Sequence, residues 1–308
     1  MTHRRPTVIL LAVALDLAVG EPTTRWHPVA WLGRAFHWAE RRVPGRSVAD
    51  GAAAVMLVTA CAWTVARWLE AVSRRLSWAG VAVEALALKP AFAVRQLIGA
   101  TAGVEAALRA GDLGTARFRV GRDLVSRPTG DLGAAEVASA AIESLAENLV
   151  DSIAAPVLAY AVAGLPAAWA YRAVNTADAM WGYRDERYER FGKAAARLDD
   201  LLNLVPARLG AAALAAGATL AGENGGGAVR VAWAQHGRTA SPNAGWPMAA
   251  MAGALGVGLA KRGTYRLGDR ALPSSPDSIR RARLVLGCAA AVTIGLTAGS
   301  LLFGGRLR

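Results

Sequence analysis

The chain has 308 residues, 54% of them hydrophobic and 19% charged, with a formal net charge of +12. That is greasier than an average soluble domain. The arginines are spread over several loops between apolar segments, with no basic stripe carrying interleaved aromatics, which argues against nucleic acid as the partner and for arginines that flank membrane segments. Cys61 and Cys288 lie in apolar stretches without a His or Cys at ligand spacing, so neither a disulfide framework nor a zinc site is supported and both read as packing residues.

Thr7–Val19 is the first apolar segment. Asp16 interrupts it and no small-residue cleavage site follows, so it reads as a retained membrane segment rather than a signal peptide. Gly51–Ala66 is a second short candidate. Residues 67–150 are the most polar stretch. Within it Val137, Ala141, Leu145 and Leu149 form an apolar stripe at helical spacing, and Glu136, Glu143, Glu147 and Asp151 share one narrow sector on the opposite side. That sector is either a solvated acidic face or a functional one; Asp151 stands at the mouth of the next apolar run.

Ser152–Tyr171 and Leu284–Phe303 reach spanning length without a charge. Pro156, Gly164 and Pro166 are expected bends in the former, and arginines flank the latter on both sides. Leu209–Gly222 and Gly245–Ala260 are shorter, and serve as tilted spans or as buried helices. The positive-inside rule puts the basic loops 172–200 and 261–283 in the cytoplasm. If both short segments cross, loop 223–244 falls on the far side, so it can join the same site only if one of them stops short. The pattern predicts an all-α, multi-pass membrane helical bundle, a single domain over 1–308 with a polar helical insert at about 67–150. Tryptophans 26, 31, 38, 63, 68 and 78 suit an interfacial belt, with stacking on a flat ligand as the alternative.

The densest polar runs are ESLAENLVDS at 143–152 and YRAVNTADAMWGYRDERYERFGKAAARLDD at 171–200. Ionisable groups beside lipid-compatible segments are costly, and usually face a cavity, a partner or a substrate. No Walker A motif is present: Gly192-Lys193 is followed by Ala194, and Arg187 stands where the first glycine belongs. Gly225-Gly226-Gly227 reads as a flexible loop, with a phosphate nest as the alternative. SPNAG at 241–245 has tight-turn composition.

DLAVGEPTTRWHPVAWLGRAF at 16–36, ESLAENLVDSIAAP at 143–156, AVNTADAMWGYRDERYERFGKAAARLDDLLNLVPARL at 173–209 and HGRTASPNAGWPMAAMAGALGV at 236–257 resemble, in this order, the signature blocks of the CobD/CbiB family of cobalamin-biosynthesis proteins. Glu21 stands where Asp is more typical before Pro22, and Ser152 where Gly is common; neither change removes a carboxylate or amide assigned to chemistry.

The resemblance implies a multi-pass enzyme of the cytoplasmic membrane, adenosylcobinamide-phosphate synthase. Such an enzyme joins aminopropanol or its phosphate to the free propionate of adenosylcobyric acid through an ATP-driven amide bond. ATP and Mg²⁺ are then co-substrate and metal, and the corrinoid is substrate rather than cofactor. Other late cobalamin-assembly enzymes and the lipid bilayer are the implied partners.

On that basis Glu143, Glu147, Asn148, Asp178 and His236 are the catalytic candidates, and Glu147, Asp151, Asp178 and Asp199 the Mg²⁺ candidates. The competing account has these carboxylates merely neutralising Arg172, Arg184, Arg197 and Arg208. Arg184, Lys193 and Arg208 suit phosphate, because Arg grips it bidentately and Lys acts as a point charge. His27, Asn175, Ser241 and Asn243 are candidate substrate contacts; His27 and His236 also titrate near neutrality, as a base that frees an amine must. A transporter and a non-catalytic membrane scaffold for corrinoid enzymes are the rival readings; no internal repeat supports the former.

Overall fold

A computed structural model describes residues 4–183 and 185–304. In chain order the helices are α1 (Arg4–Val19), α2 (Pro28–Arg42), α3 (Val48–Ser73), α4 (Ser77–Leu88), α5 (Val94–Arg109), α6 (Leu113–Asp123), α7 (Ala134–Leu149), α8 (Ala155–Ala163), α9 (Leu165–Trp181), α10 (Lys193–Leu202), α11 (Leu204–Leu220), α12 (Gly225–Gln235), α13 (Gly245–Leu255) and α14 (Asp277–Gly304). A π-turn, Val150–Ala154, joins α7 to α8.

The all-α expectation needs one correction. β1 (Leu259–Lys261) and β2 (Tyr265–Leu267) pair antiparallel, with Lys261 opposite Tyr265. Glycine makes this possible. Gly256, left-handed at φ 64°, closes α13, and Gly263 at φ 66° serves the turn between the strands.

The helix starts follow local chemistry. Ser47 and Asp50 form a reciprocal capping box at α3, and Asn224 accepts the Gly227 N–H at 2.7 Å at α12. Gly225–Gly227 is therefore the first turn of α12, not a flexible loop.

Contacts group the chain into two units. One falls within Met1–Ala93, Ala155–Asn203 and Leu296–Arg308, the other within Val94–Ala154 and Leu204–Gly295. The first has a core on α2, α3, α9 and α10, where Trp181 makes edge contacts with Phe36 at 5.2 Å and Phe191 at 4.9 Å. Such pairs add about 0.5–1.5 kcal/mol each beyond area burial. In the second unit α12 packs on α13 through Gly227 and Gly253, whose backbones approach too closely for any side chain.

Three helices are long and apolar enough to cross a bilayer: Val48–Ser73, Ala134–Ala163 and Asp277–Phe303; a fourth span results if Lys193–Leu202 and Leu204–Leu220 form one broken crossing. Only 22% of the apolar window of α3 is buried, so most of its apolar surface is exposed, as a lipid-facing helix requires. Cys61 lies exposed on this helix and is not the packing residue expected. The run Ser152–Tyr171 is not one span: Gly164, at φ 78°, separates α8 from α9, and the crossing candidate is displaced toward α7. Gly245–Ala260 does not span either, since α13 has eleven residues and reaches only about 16 Å at 1.5 Å each. This meets the condition under which loop 223–244 need not lie across the membrane. Trp26, Trp31, Trp38, Trp63, Trp68 and Trp78 are all exposed, as an interfacial belt requires.

Gly51 of α3 lies against the Phe191 carbonyl, and a Cβ there would overlap that oxygen. Gly51→Ala is expected to cost about 3 kcal/mol or more, because backbone cannot yield as a side-chain tip can. Thermal unfolding of the detergent-solubilised protein measures it; an unchanged melting temperature would contradict this packing.

Candidate functional site

Two polar clusters are built, one in each unit. In the first, α9 supplies Tyr171, Arg172, Asn175 and Asp178 on successive turns, and α10 with its C-cap supplies Asp199, Asp200 and Asn203. Arg172 donates to Asn175 Oδ1 at 3.0 Å, and Asn175 Nδ2 donates to Asp199 Oδ1 at 3.2 Å. Asn203 donates to the other Asp199 oxygen at 2.9 Å and accepts from Tyr171 Oη at 3.0 Å. The amides thus aim the Asp199 carboxylate.

Asp178 lies one turn beyond Asn175 and is half-buried. Burial, then the charges of Asp199 and Asp200, push its carboxyl up to about 7. Negative charge is therefore under-compensated here, which is chemistry that receives a cation. Among the described residues no group of three or more His, Cys, Asp or Glu is set to hold a metal by itself. Mg²⁺ commonly needs only one or two carboxylates, completing its shell with phosphate and water. Asp178 and Asp199 fit that mode.

In the second unit a cavity of about 270 Å³ opens beside α7 and the hairpin. Glu143, Glu147 and Ser241 line it, together with Arg127, Lys261 and Tyr265. Glu143 is buried and Glu147 half-buried, so the middle of the α7 acidic sector is not a solvated face. Ser139 Oγ and Tyr265 Oη each donate to Glu143 at 2.7 Å, and Arg127 stands 3.5 Å away. Burial and the Glu143 charge raise the Tyr265 hydroxyl well above its ordinary range, so it stays a donor.

Asn148 donates to the Ser144 carbonyl of its own helix at 3.0 Å and accepts from Ser152 of the π-turn. Asp151 sits half-buried in the π-turn. Ser241 Oγ accepts the N–H groups of Asn243 and Ala244 at 3.2 and 3.4 Å, so the SPNAG segment is the turn into α13. Arg208 donates to Asn243 Oδ1 at 3.2 Å and lies 5.2 Å over Trp246. His236 stacks on the same indole at 3.9 Å, and its Nδ1 faces the carbonyls of Ala232 and Trp233. Carbonyls only accept, so the proton sits on Nδ1 and Nε2 is left as an acceptor.

His27 caps α2 by accepting the Val29 N–H at 3.1 Å on Nδ1 and meets Glu21 at 2.6 Å through Nε2. Glu21 also pairs with buried Lys89 at 2.9 Å. Both ring nitrogens of His27 are thus occupied within the protein. Lys193 is exposed at the start of α10, and Arg184 lies outside the described residues.

Residues 9–285 match the CobD/Cbib protein family. The chain belongs to that family. It is 37% identical to the cobalamin biosynthesis protein CobD of Dehalococcoides mccartyi, over 96% of this chain and 97% of the relative. It is 41% identical to the CobD of Geobacter metallireducens, over 89% and 87%, and 35% identical to the cobalamin biosynthesis protein CbiB of Salmonella typhimurium, over 93% and 94%. No solved structure matches.

Three lining residues in this CobD/CbiB chain escape sequence reading: Arg127, Lys261 and Tyr265. Arg127 and Tyr265 lie outside every motif block, and Lys261 begins a segment read only as a basic loop. The one available signal was Gly263 between the short alternating segments LAK and YRL, which marks a hairpin.

The Asp178 carboxyl, at about 7 against an ordinary 3.8, keeps a proton in the fold that the unfolded chain has lost. Its contribution is greatest below the ordinary value and fades as pH rises to about 7. In the absence of divalent cations, Asp178→Asn is expected to gain stability over the parent as pH rises from about 5 to about 8. Paired melting curves test this, and a pH-independent difference would mean that the carboxyl is not perturbed.

Proposed function

We propose that this CobD/CbiB family member acts in cobalamin biosynthesis as a multi-pass enzyme of the cell membrane, adenosylcobinamide-phosphate synthase. It forms the amide between the free propionate of adenosylcobyric acid and aminopropanol or its phosphate, at the expense of ATP. The observation that carries the reading is the under-compensated carboxylate cluster of Asp178, Asp199 and Asp200, held by amides between two helices. The printed names of the relatives supply the pathway.

A carboxylate has no leaving group. The propionate oxygen attacks the γ-phosphorus of ATP, the bond to the bridging oxygen breaks, and ADP departs. The amine nitrogen then attacks the acyl-phosphate carbon; its proton passes to a base, and phosphate leaves. Phosphoryl transfer of this kind is mostly positioning and charge neutralisation. Mg²⁺, when bound, neutralises phosphate oxygens; Asp178 and Asp199 are the residues to hold it. Asn175 and Asn203 hold and aim the Asp199 carboxylate. Nε2 of His236 is the acceptor suited to the amine proton, and Lys193 and Arg208 are phosphate partners. Glu147, beside Glu143 in the cavity, suits the substrate ammonium.

Purified protein in detergent, given adenosylcobyric acid, the amine and MgATP, is expected to release ADP and phosphate one-for-one with the amide. Asp199→Asn and Asp178→Asn are each expected to lower turnover by about a hundredfold or more. Full turnover in both variants would return these carboxylates to a charge-balancing role. Amine transport without ADP release would favour a transporter.

A further inference from the structure

One end of the first unit holds a buried polar network that the chemistry above does not use. Glu84 of α4 is buried. The Arg4 guanidinium donates to it at 2.9 Å, Ser73 Oγ at 3.0 Å and Tyr160 Oη at 2.5 Å. These bonds fasten α1, α3, α4 and α8 together at one place. Beside them Arg5 donates to the carbonyls of Ala161 and Val162 in α8, at 2.9 and 3.3 Å. Next to Ser73 the chain turns from α3 into α4, and every residue from 74 to 79 is exposed. Trp78 is 84% exposed and Leu76 is exposed with it. Ser77, between them, has φ 43°, the one positive φ outside glycine among the described residues. Left-handed backbone at a residue with a side chain is costly and marks places where function uses the geometry. Here a rigid base holds an indole and a leucine out of the fold.

Charge and length name the occupant. Residues 73–80 contain Arg74 and Arg75 and no acid. The flanking acids Glu70 and Glu84 are buried, and Arg74 and Arg4 already pair with them. Arg5 and Arg75 remain as surplus positive charge, and Arg75 holds no ion pair among the described residues. The 26 residues of α3 reach about 39 Å at 1.5 Å each, against a hydrocarbon core of about 30 Å. Its end therefore emerges among lipid headgroups, where Trp and Arg are favoured. We infer that the turn at residues 74–79 is a docking surface for anionic phospholipid headgroups. Arg75 and Arg74 meet the lipid phosphates, and Leu76 and Trp78 enter the boundary with the acyl chains. The inference rests on the membrane reading and is independent of the ligase reading.

Fluorescence quenching of the full chain in phosphatidylcholine nanodiscs tests this. The Trp78 signal is the emission of the parent minus that of Trp78→Phe. The quenchers are brominated phosphatidylcholine and brominated phosphatidylglycerol at equal mole fraction. The anionic lipid is expected to quench Trp78 with an apparent affinity at least about fivefold higher than the zwitterionic one. Arg75→Gln is expected to narrow that preference about threefold, and Arg75→Glu to bring the two lipids within about twofold. Raising the salt to about 0.5 M is expected to shrink the preference in the parent. Arg75 is exposed, so neither variant is expected to shift the melting temperature. Equal quenching of Trp78 by the two lipids overturns the headgroup assignment and leaves the membrane reading standing, as does a preference that survives Arg75→Glu. Quenching of Trp78 by aqueous acrylamide and by neither lipid places the turn in water and overturns it too; if no tryptophan of the chain responds to either lipid, the membrane reading fails with it. A dimer in the nanodisc that Trp78→Phe or Arg75→Glu dissociates would give the surface to a second copy of the chain instead.

Discussion

A carboxylate inside an apolar helical protein must be held by donors or else take up a proton, because removing an ion from water costs more than any single contact returns. This constraint organises both units. Glu143 is buried yet held by two hydroxyls, and Asp199 receives two amide donors. Asp178 has only carboxylates among its charged neighbours and shifts upward accordingly. The contrast separates Glu143, which the fold has already satisfied, from the Asp178–Asp199 pair, which is left for a cation.

The positioning elements are the breaks in the helices rather than their middles. Gly256 stops α13 and lets the chain turn into the hairpin that brings Lys261 and Tyr265 to α7. The π-turn at Val150–Ala154 interrupts the ordinary ladder at Asp151, and such turns recur at functional sites because they re-aim side chains. Gly164, with its positive φ, starts α9 afresh, and α9 then presents Arg172, Asn175 and Asp178 along one face. At the two glycine breaks the residue that makes the break has no chemistry of its own.

Some polar residues within the motif blocks are structural. Both nitrogens of His27 are spent on the α2 cap and on Glu21, which Lys89 also holds. Ser241 shapes the turn into α13. His236 keeps Nε2 as an acceptor because two carbonyls fix the proton on its other nitrogen. Two histidines in equivalent motif settings thus differ in what they leave available.

The sequence alone determined the helical class, the family through its ordered motif blocks, and the nearness of Asn175 to Asp178 and of Glu143 to Glu147. These depend on local spacing, which helical periodicity makes readable. It marked Gly164 as a bend in the run Ser152–Tyr171 but still read one span, because hydropathy carries no backbone conformation and does not show that the positive φ there divides two helices. It also read Gly245–Ala260 as apolar length, where a helix of eleven residues is followed by a strand. Only the tertiary structure decided that the α7 acidic sector faces inward and that Arg127 and Lys261 share its cavity. Residues 127, 143 and 261 meet through packing across long stretches of chain, and no periodicity links positions so far apart.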